Sequence, residues 1–295
     1  KTLVSSPTTA EQRMLNETSR KALVEKSMVA GIPFTNVGPT VMSGRVVDIE
    51  VDPENSTHFY VAYASGGLWE TVNNGTSFSP LFDQEISMSI GDIFVDWVHN
   101  EAIWIGTGEN NSSRSSYSGT GLYYSNDHGK SWEHRGLPDS HHIGRIIVHP
   151  ENPNTVWVGV LGHLYSPNTN RGLYKTTDSG KTWMKKLYVD DTSGIVDLVM
   201  DPKNSNHLFA SSWTKSRTAW NFQESGSGSG IWESVDGGEK WTNISCGDSG
   251  FPYGPGTGRI GLAFSNNERG LYLYAALDNQ NRRLDEPTET KSRTA

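Results

Sequence analysis

Apolar positions follow two rhythms along this chain. Over residues 8 to about 30, Ala10, Met14, Leu15, Ala22, Leu23 and Met28 form a partial helical stripe, which predicts an amphipathic helix. Thr8 or Thr9 is placed to cap it, and Glu11 lies within capping-box reach. The segment Ile32-Pro33-Phe34-Thr35-Asn36-Val37-Gly38-Pro39 then ends the helix. Beyond it the apolar residues come in short runs at 59–63, 102–106, 156–160 and 207–210. Three of these runs follow another short run that closes on Asp52-Pro53, His149-Pro150 or Asp201-Pro202. Turn-forming residues lie between, as in Glu54-Asn55-Ser56, so each pair of runs predicts two antiparallel strands.

A third strand in each unit carries a recurring pattern, G-[LI]-[WY]-x-[ST]-x-[DN]-x-G-x-x-[WF]. Its Ser/Thr position falls at Thr71, Ser125, Thr176 and Ser234, so the steps are 54, 51 and 58 residues. A near-constant period of this size marks an array of like units. With a short fourth strand after the turn, each unit predicts one four-stranded antiparallel blade of an all-β propeller. A fifth unit starts at Gly258-Arg259-Ile260 and reaches its second strand at 271–276 without a further turn motif. The expected organisation is a helical arm (1–32), four and a half blades (33–278) and a polar tail or the start of the next segment (279–295). Four and a half blades leave open edges. The expectation is therefore a part of a longer protein, or closure by another segment such as Thr35 to Val41.

Composition narrows the function classes. The 295 residues carry a formal net charge of −8, against the basic surface a nucleic-acid binder needs. No 18-residue apolar run predicts a membrane span. Cys246 is the only cysteine, so the chain has neither a disulfide framework nor a thiolate zinc site.

The turn motif itself is structural. Its hydroxyl and its Asp or Asn (Asn73, Asp127, Asp178, Asp236) bond their own turn, and Gly supplies positive φ. The ring five residues on (Trp132, Trp183, Trp241) packs beside the turn. The pattern resembles the Asp-box (BNR) repeat shared by sialidases, xyloglucanase-type glycoside hydrolases and the sortilin propeller. The segments Trp104-Ile105-Gly106-Thr107-Gly108-Glu109-Asn110-Asn111, His142-Ile143-Gly144-Arg145-Ile146 and Gly159-Val160-Leu161-Gly162-His163-Leu164 are similar to bacterial secreted propellers described as sortilin-like or glycosyl-hydrolase-like. That resemblance implies a fold and an extracellular, periplasmic or cell-surface location; it implies no reaction. Two departures stand out. Sortilins end their propeller with a Cys-rich module, and catalytic sialidases carry Arg-Ile-Pro where this chain has Gly31-Ile32-Pro33.

In a propeller the loops between second and third strands lie opposite the repeated turns. Here they differ in length: minimal at Ala64-Ser65-Gly66, then 109–120, 162–170 and 214–228. Long unlike loops on one rim of a rigid array are the expected binding face. They carry Asn110, Asn111, His163, Arg217 and Trp220 as ligand-binding candidates, joined by Arg145 from an inner strand; the last loop also offers the cation of Lys215 and reads, from Ser225-Gly226-Ser227-Gly228-Ser229, as a flexible segment. Aligned on the strand ends, Asp48, Asp92, Arg145 and Asp197 form one column beside the channel, with Gly261 in the fifth unit. Asp48, Asp92, Asp197 and Glu109 are the catalytic candidates, because paired carboxylates can hydrolyse a glycosidic bond. The column can alternatively hold calcium or bond the neighbouring blade's backbone. No metal site or cofactor is otherwise expected.

The expected function is an exported propeller that binds protein, peptide or glycan through the loop face and channel. A carboxylate-dependent glycoside hydrolase is the alternative, with a purely structural role as one section of a larger multidomain surface protein as the third reading.

Overall fold

The computed structural model describes residues 8–32, 44–98, 100–267 and 270–281. The stretch from Thr35 to Val41, expected to supply a closing strand, lies outside them, as does most of the expected tail.

Helix α1 (Ala10–Glu25) begins at Thr9, whose side chain accepts the Gln12 N–H. Gln12, rather than Glu11, therefore holds the third helical position. The helix does not dock by its apolar stripe: Leu15, Leu23 and Met28 are exposed, and only Ala10 is buried. Arginines hold it instead. Arg13 donates to the carbonyls of Gly119 (2.8 Å) and Pro138 (2.9 Å), and Arg20 donates to that of Gln84 (2.6 Å). These carbonyls belong to loops on one rim of the array, so the helix lies on that rim.

The rest is mostly strand. Four sheets have four antiparallel strands each, in sequence order. The first contains Val46–Val51, Phe59–Tyr63, Gly67–Thr71 and Ser79–Pro80; the second Ile90–Asp96, Ala102–Thr107, Leu122–Ser125 and Glu133–His134. The third contains Ile143–His149, Asn152–Val160, Gly172–Thr176 and Met184–Leu187; the fourth Ser193–Asp201, Asn204–Thr214, Gly230–Ser234 and Thr242–Asn243. A fifth unit is the two-stranded pair Thr257–Asn267 and Gly270–Asn279. Its second strand runs through Asp278 and Asn279, where the polar tail was expected to begin. First strands of successive units adjoin one another, which gives a partial, propeller-like array.

Alternation within strands builds the core between sheets. Tyr60, Ala62 and Leu68 of the first sheet pack on Ile93, Val95 and Ile105 of the second. Trp104 and Leu122 meet Ile146, Val148 and Val158; Trp157 and Leu173 meet Ile195, Leu198 and Leu208. Phe209 and Ile231 meet Ile260 and Leu262 of the fifth unit. Full burial of such a side chain stabilises by about 1.5–3 kcal/mol, whereas one hydrogen bond contributes about 1 kcal/mol net. Intersheet packing therefore dominates, and polar contacts set register.

The repeated turns share one hydrogen-bond pattern. Ser125 Oγ donates to Asp127 Oδ1 (2.8 Å) and accepts the Gly129 N–H (2.9 Å); Thr176 does the same with Asp178 and Gly180. Thr71 serves Asn73 and Gly75, and Ser234 serves Asp236 and Gly238. Two successive residues are left-handed in each turn: Asn74-Gly75, His128-Gly129, Ser179-Gly180 and Gly237-Gly238. The hydrogen bonds hold Asp127 and Asp178 down to about pH 2, led by the Ser131 and Thr182 hydroxyls respectively. Trp132 and Trp183 each donate an indole N–H to the preceding sheet, at Leu81 O (2.9 Å) and Arg135 O (2.7 Å). Trp241 instead bonds its own turn, at Gly238 O. There the intersheet bond comes the other way, from Trp157 of the third sheet to Gly237 O (3.1 Å).

Candidate functional site

The inner-strand column has one register throughout. Asp48 pairs with Ala62, Asp92 with Gly106, Arg145 with Gly159, Asp197 with Ser211 and Gly261 with Ala276. In each complete sheet a register shift falls just before the column residue. It turns the side chain across to the next sheet. Asp48 Oδ2 accepts the Ile93 N–H (3.2 Å), Asp92 Oδ2 that of Ile146 (2.6 Å) and Asp197 Oδ2 that of Leu262 (2.8 Å). Each carboxylate thus satisfies the amide immediately after the next column position.

Arg145 interrupts this series because a guanidinium cannot accept. The amide it leaves, Leu198 N–H, is taken by Asp197's own Oδ1 (2.9 Å). Arg145 donates to Asp92 Oδ1 (3.2 Å) and Asp197 Oδ1 (3.1 Å). Burial pushes the Asp92 carboxyl well above its ordinary range, against the pull of Arg145. Asp92 is 3% exposed and both its oxygens are engaged.

Asp48 and Glu50 lie two apart on the first strand. Burial, helped by the Asp48 charge, pushes Glu50 up to about 7. Sequence reasoning passed over Glu50; an acid two positions from the column, on a strand with a period of two, was the available signal.

Beside the column lies a cavity of about 180 Å³, lined among others by Asp92, Arg145, Asp197, Asn110, Asn111 and Arg259. Asn110 donates to Gly144 O (3.1 Å) and accepts from Arg259 (3.2 Å), and Asn111 also accepts from Arg259 (2.5 Å). Glu109 does not face this cavity freely. It is buried, with one oxygen held by Arg45 (2.5 Å) and the other by Ser116. His142 Nδ1 lies 2.8 Å from the Glu109 carbonyl. The second-unit loop is thereby tied to the first, third and fifth units.

The other loop candidates scatter over the same rim. His163 stacks on His141, with ring centroids 3.8 Å apart. Burial lowers both imidazoles, His141 to about 3. Arg217 is half-buried over the Phe222 ring, 4.4 Å from its centroid. The fourth-unit loop, read from its Ser/Gly content as a flexible segment, contains a small hairpin of Ser216–Arg217 with Phe222–Gln223. Lys215, expected to present a cation there, is buried and donates to His163 O (3.2 Å).

Trp220 sits at the tip of that hairpin and is 84% exposed. Tyr117 on the second-unit loop and Tyr165 on the third are also exposed, at 62% and 57%. Each of the three long loops thus presents one aromatic ring to solvent. Beside Tyr117 lies a groove of about 380 Å³ lined among others by Ser65, Ile86, Ser87, Met88 and Ser118 and by Arg13 of the helix, while the Ser89 and Thr120 hydroxyls at its edge are buried in bonds within the protein. Only Trp220 stood out in the sequence. Tyr117 and Tyr165 emerge once the loops are superposed by strand order.

Sequential four-stranded sheets, joined through inner strands and repeated turns, define a β-propeller-type, sortilin-like chain. The family described as "Sortilin, neurotensin receptor 3" (Sortilin-Vps10) matches residues 120–289, more than half of the chain, and the chain belongs to that family. A protein of Neosartorya fischeri named "probable oligoxyloglucan-reducing end-specific xyloglucanase" is 21% identical over 218 residues, covering 68% of this chain and 24% of that protein. Among solved structures, an ancestral GH74 enzyme is similar with a TM-score of 0.56 and 17% identity, over 79% of this chain and 32% of that one. The GH74 xyloglucanase from Xanthomonas campestris has a TM-score of 0.54 and 16% identity, over 82% and 35%. The chain spans about a third or less of the first relatives it matches. Identities this low support the shared fold. Among the described residues no helix is long and apolar enough to cross a membrane.

Proposed function

We propose that this chain is an exported Asp-box propeller segment that binds a polysaccharide along its loop rim, without hydrolysing it. The observation that carries this reading is the set of exposed rings Tyr117, Tyr165 and Trp220, one on each long loop of the same rim. Such rings stack on the apolar faces of sugar units, and rings on three separate loops offer several stacking points to a ligand of several units. The Ser65, Ser87 and Ser118 side chains of the groove beside Tyr117 offer partners for sugar hydroxyls. The names of the relatives point to xyloglucan as the first polysaccharide to try. A peptide ligand is the variant reading, with the same rim as its site.

Engagement of the column carboxylates supports binding over catalysis. Asp92 and Glu109 have both oxygens occupied, and Asp48 and Asp197 each accept backbone amides. Hydrolysis remains the second reading, favoured by the xyloglucanase relative.

Affinity electrophoresis on xyloglucan and other soluble polysaccharides, beside an assay of released reducing ends, tests both readings. Expected are retardation on at least one polysaccharide, its weakening by about tenfold in Trp220→Ala, and no release of reducing ends. Turnover that disappears in Asp92→Asn with an unchanged melting temperature overturns the binding-only reading. Retardation equal in the wild type and the triple variant Tyr117→Ala, Tyr165→Ala, Trp220→Ala overturns the rim as the site.

A further inference from the structure

On the face opposite the loop rim, the first and second sheets bring together Asp52, His58 and Glu101. One donor atom from each lies within 4.8 Å of the others. The geometry points to a binding site for one divalent transition cation of the zinc type, shared between these two sheets.

The hydrogen bonds around the cluster leave His58 Nδ1 and Asp52 Oδ2 available to an ion. His58 Nε2 lies 3.0 Å from Glu70 Oε1, and a carboxylate can only accept, so that nitrogen carries the proton. In the neutral ring, the form that binds a metal, Nδ1 then carries the lone pair, and it faces Asp52 Oδ2 at 3.8 Å. That separation is too long for a hydrogen bond and near the ~3.4 Å between two ligands ~2.1 Å from one tetrahedral ion. Asp52 satisfies its own turn through the other oxygen, which accepts the Glu54 N–H (2.8 Å). A carboxylate on the far nitrogen of a ligating histidine is the usual outer support of such sites, and Glu70 provides it.

Glu101 completes the set from the second sheet, and His128 holds its Oε2 at 2.6 Å. The Tyr60 and Trp97 rings wall the imidazole, each 5.3 Å from its centroid. One imidazole nitrogen with two carboxylate oxygens suits zinc, cobalt or manganese better than calcium, which prefers an all-oxygen shell. A fourth position stays open to water.

The fourth sheet provides an internal comparison. Its Asp201, His207 and Glu233 repeat the positions of Asp52, His58 and Glu70. There Nδ1 lies 3.3 Å from Asp201 Oδ2 and Nε2 2.8 Å from Glu233 Oε1, so both imidazole nitrogens are at bonding distance from acceptors. Among the described residues no third carboxylate joins that cluster. The first-sheet cluster thus differs by an added ligand and by an opened Nδ1–carboxylate gap.

Isothermal titration of the chelator-treated protein with ZnCl2, and with CaCl2 as the hard-cation control, tests the site. The result expected is one zinc bound per chain, a raised melting temperature and little response to calcium. Glu101→Gln and His58→Gln each weaken zinc by about tenfold or more, while His207→Gln leaves it unchanged. Bound Co2+ gives a visible absorption band that His58→Gln abolishes. Should His58→Gln fail to fold, Glu101→Gln, at a half-buried position, decides alone. The proposal is overturned by absence of zinc binding, by calcium binding in preference to zinc, or by equal weakening in Glu101→Gln and His207→Gln.

Discussion

The two rims of the array are built on opposite principles. On the turn side, four sheets repeat one solution: a buried hydroxyl bridging an Asp or Asn to a left-handed Gly. On the loop side one backbone bond recurs at the base of each connection between second and third strands, but beyond it the connections differ in length, and each of the three long ones presents one ring to solvent. Between them the column keeps a single register in the four complete sheets, and Arg145 alone there interrupts its carboxylate-to-amide bonding. Repetition marks what every sheet needs in order to stand beside its neighbour. Departure from repetition marks what one place does that the others do not.

Substitutions can break that contrast, and the column is expected to give the largest effect. Asp92→Ala leaves Arg145 with one partner fewer and the Ile146 amide unpaired, so stability should fall by about 3–5 kcal/mol in urea unfolding. A loss under about 1 kcal/mol would mean the column does not join the sheets. Thr176→Val removes a buried hydroxyl that serves both Asp178 and Gly180, with an expected cost of about 1–3 kcal/mol. The equivalent change at Ser125 should cost a similar amount if the turns are interchangeable.

Glu50→Gln should raise stability at pH 8 by about 1–2 kcal/mol and leave pH 4 nearly unchanged. The sign follows from burial, which lifts the folded-state group to about 7: the folded protein holds an extra proton between its unfolded value and 7, so stability falls as pH rises through that window. Thermal melts of both proteins from pH 4 to 8 check it. Asp127 and Asp178 run the other way. Their depressed values, about 2, add stability above the unfolded value near 3.8 that is lost as pH falls toward 2. The acid limb of the melting curve should therefore shift upward in pH when both are replaced by Asn. The smallest change in stability, under about 0.5 kcal/mol, is expected from Trp220→Ala, whose ring is 84% exposed. A large loss there would make the loop rim as architectural as the turns.

Much of the array was legible in the chain, for a local reason. The turn chemistry sits within about a dozen consecutive residues, from Gly172 to Trp183 in the clearest copy, so periodicity located each unit. Counting back from the strand ends also brought Asp48, Asp92, Arg145 and Asp197 to equivalent positions. Helix α1 was legible as a helix but not in its docking. Arg13 and Arg20 find carbonyls at Gly119, Pro138 and Gln84, partners that no local pattern announces. Likewise, Ser/Gly content concealed a hairpin in the fourth loop, where Trp213 Nε1 donates to Glu224 O (2.8 Å) across its base.

The division between what sequence and structure each decide follows the range of the interactions. Alternation, turn residues and period are short-range properties, and the chain alone determined from them the strands, the sheets and the two rims. Where a side chain's partner lies tens of residues away, composition is silent. Asp92 reaches Ile146, Glu109 is closed off by Arg45 and Ser116, Lys215 is drawn inside, and Glu101 meets Asp52 and His58. Only the packing of one sheet on the next sets those distances, and with them which carboxylates are occupied and which remain free to bind.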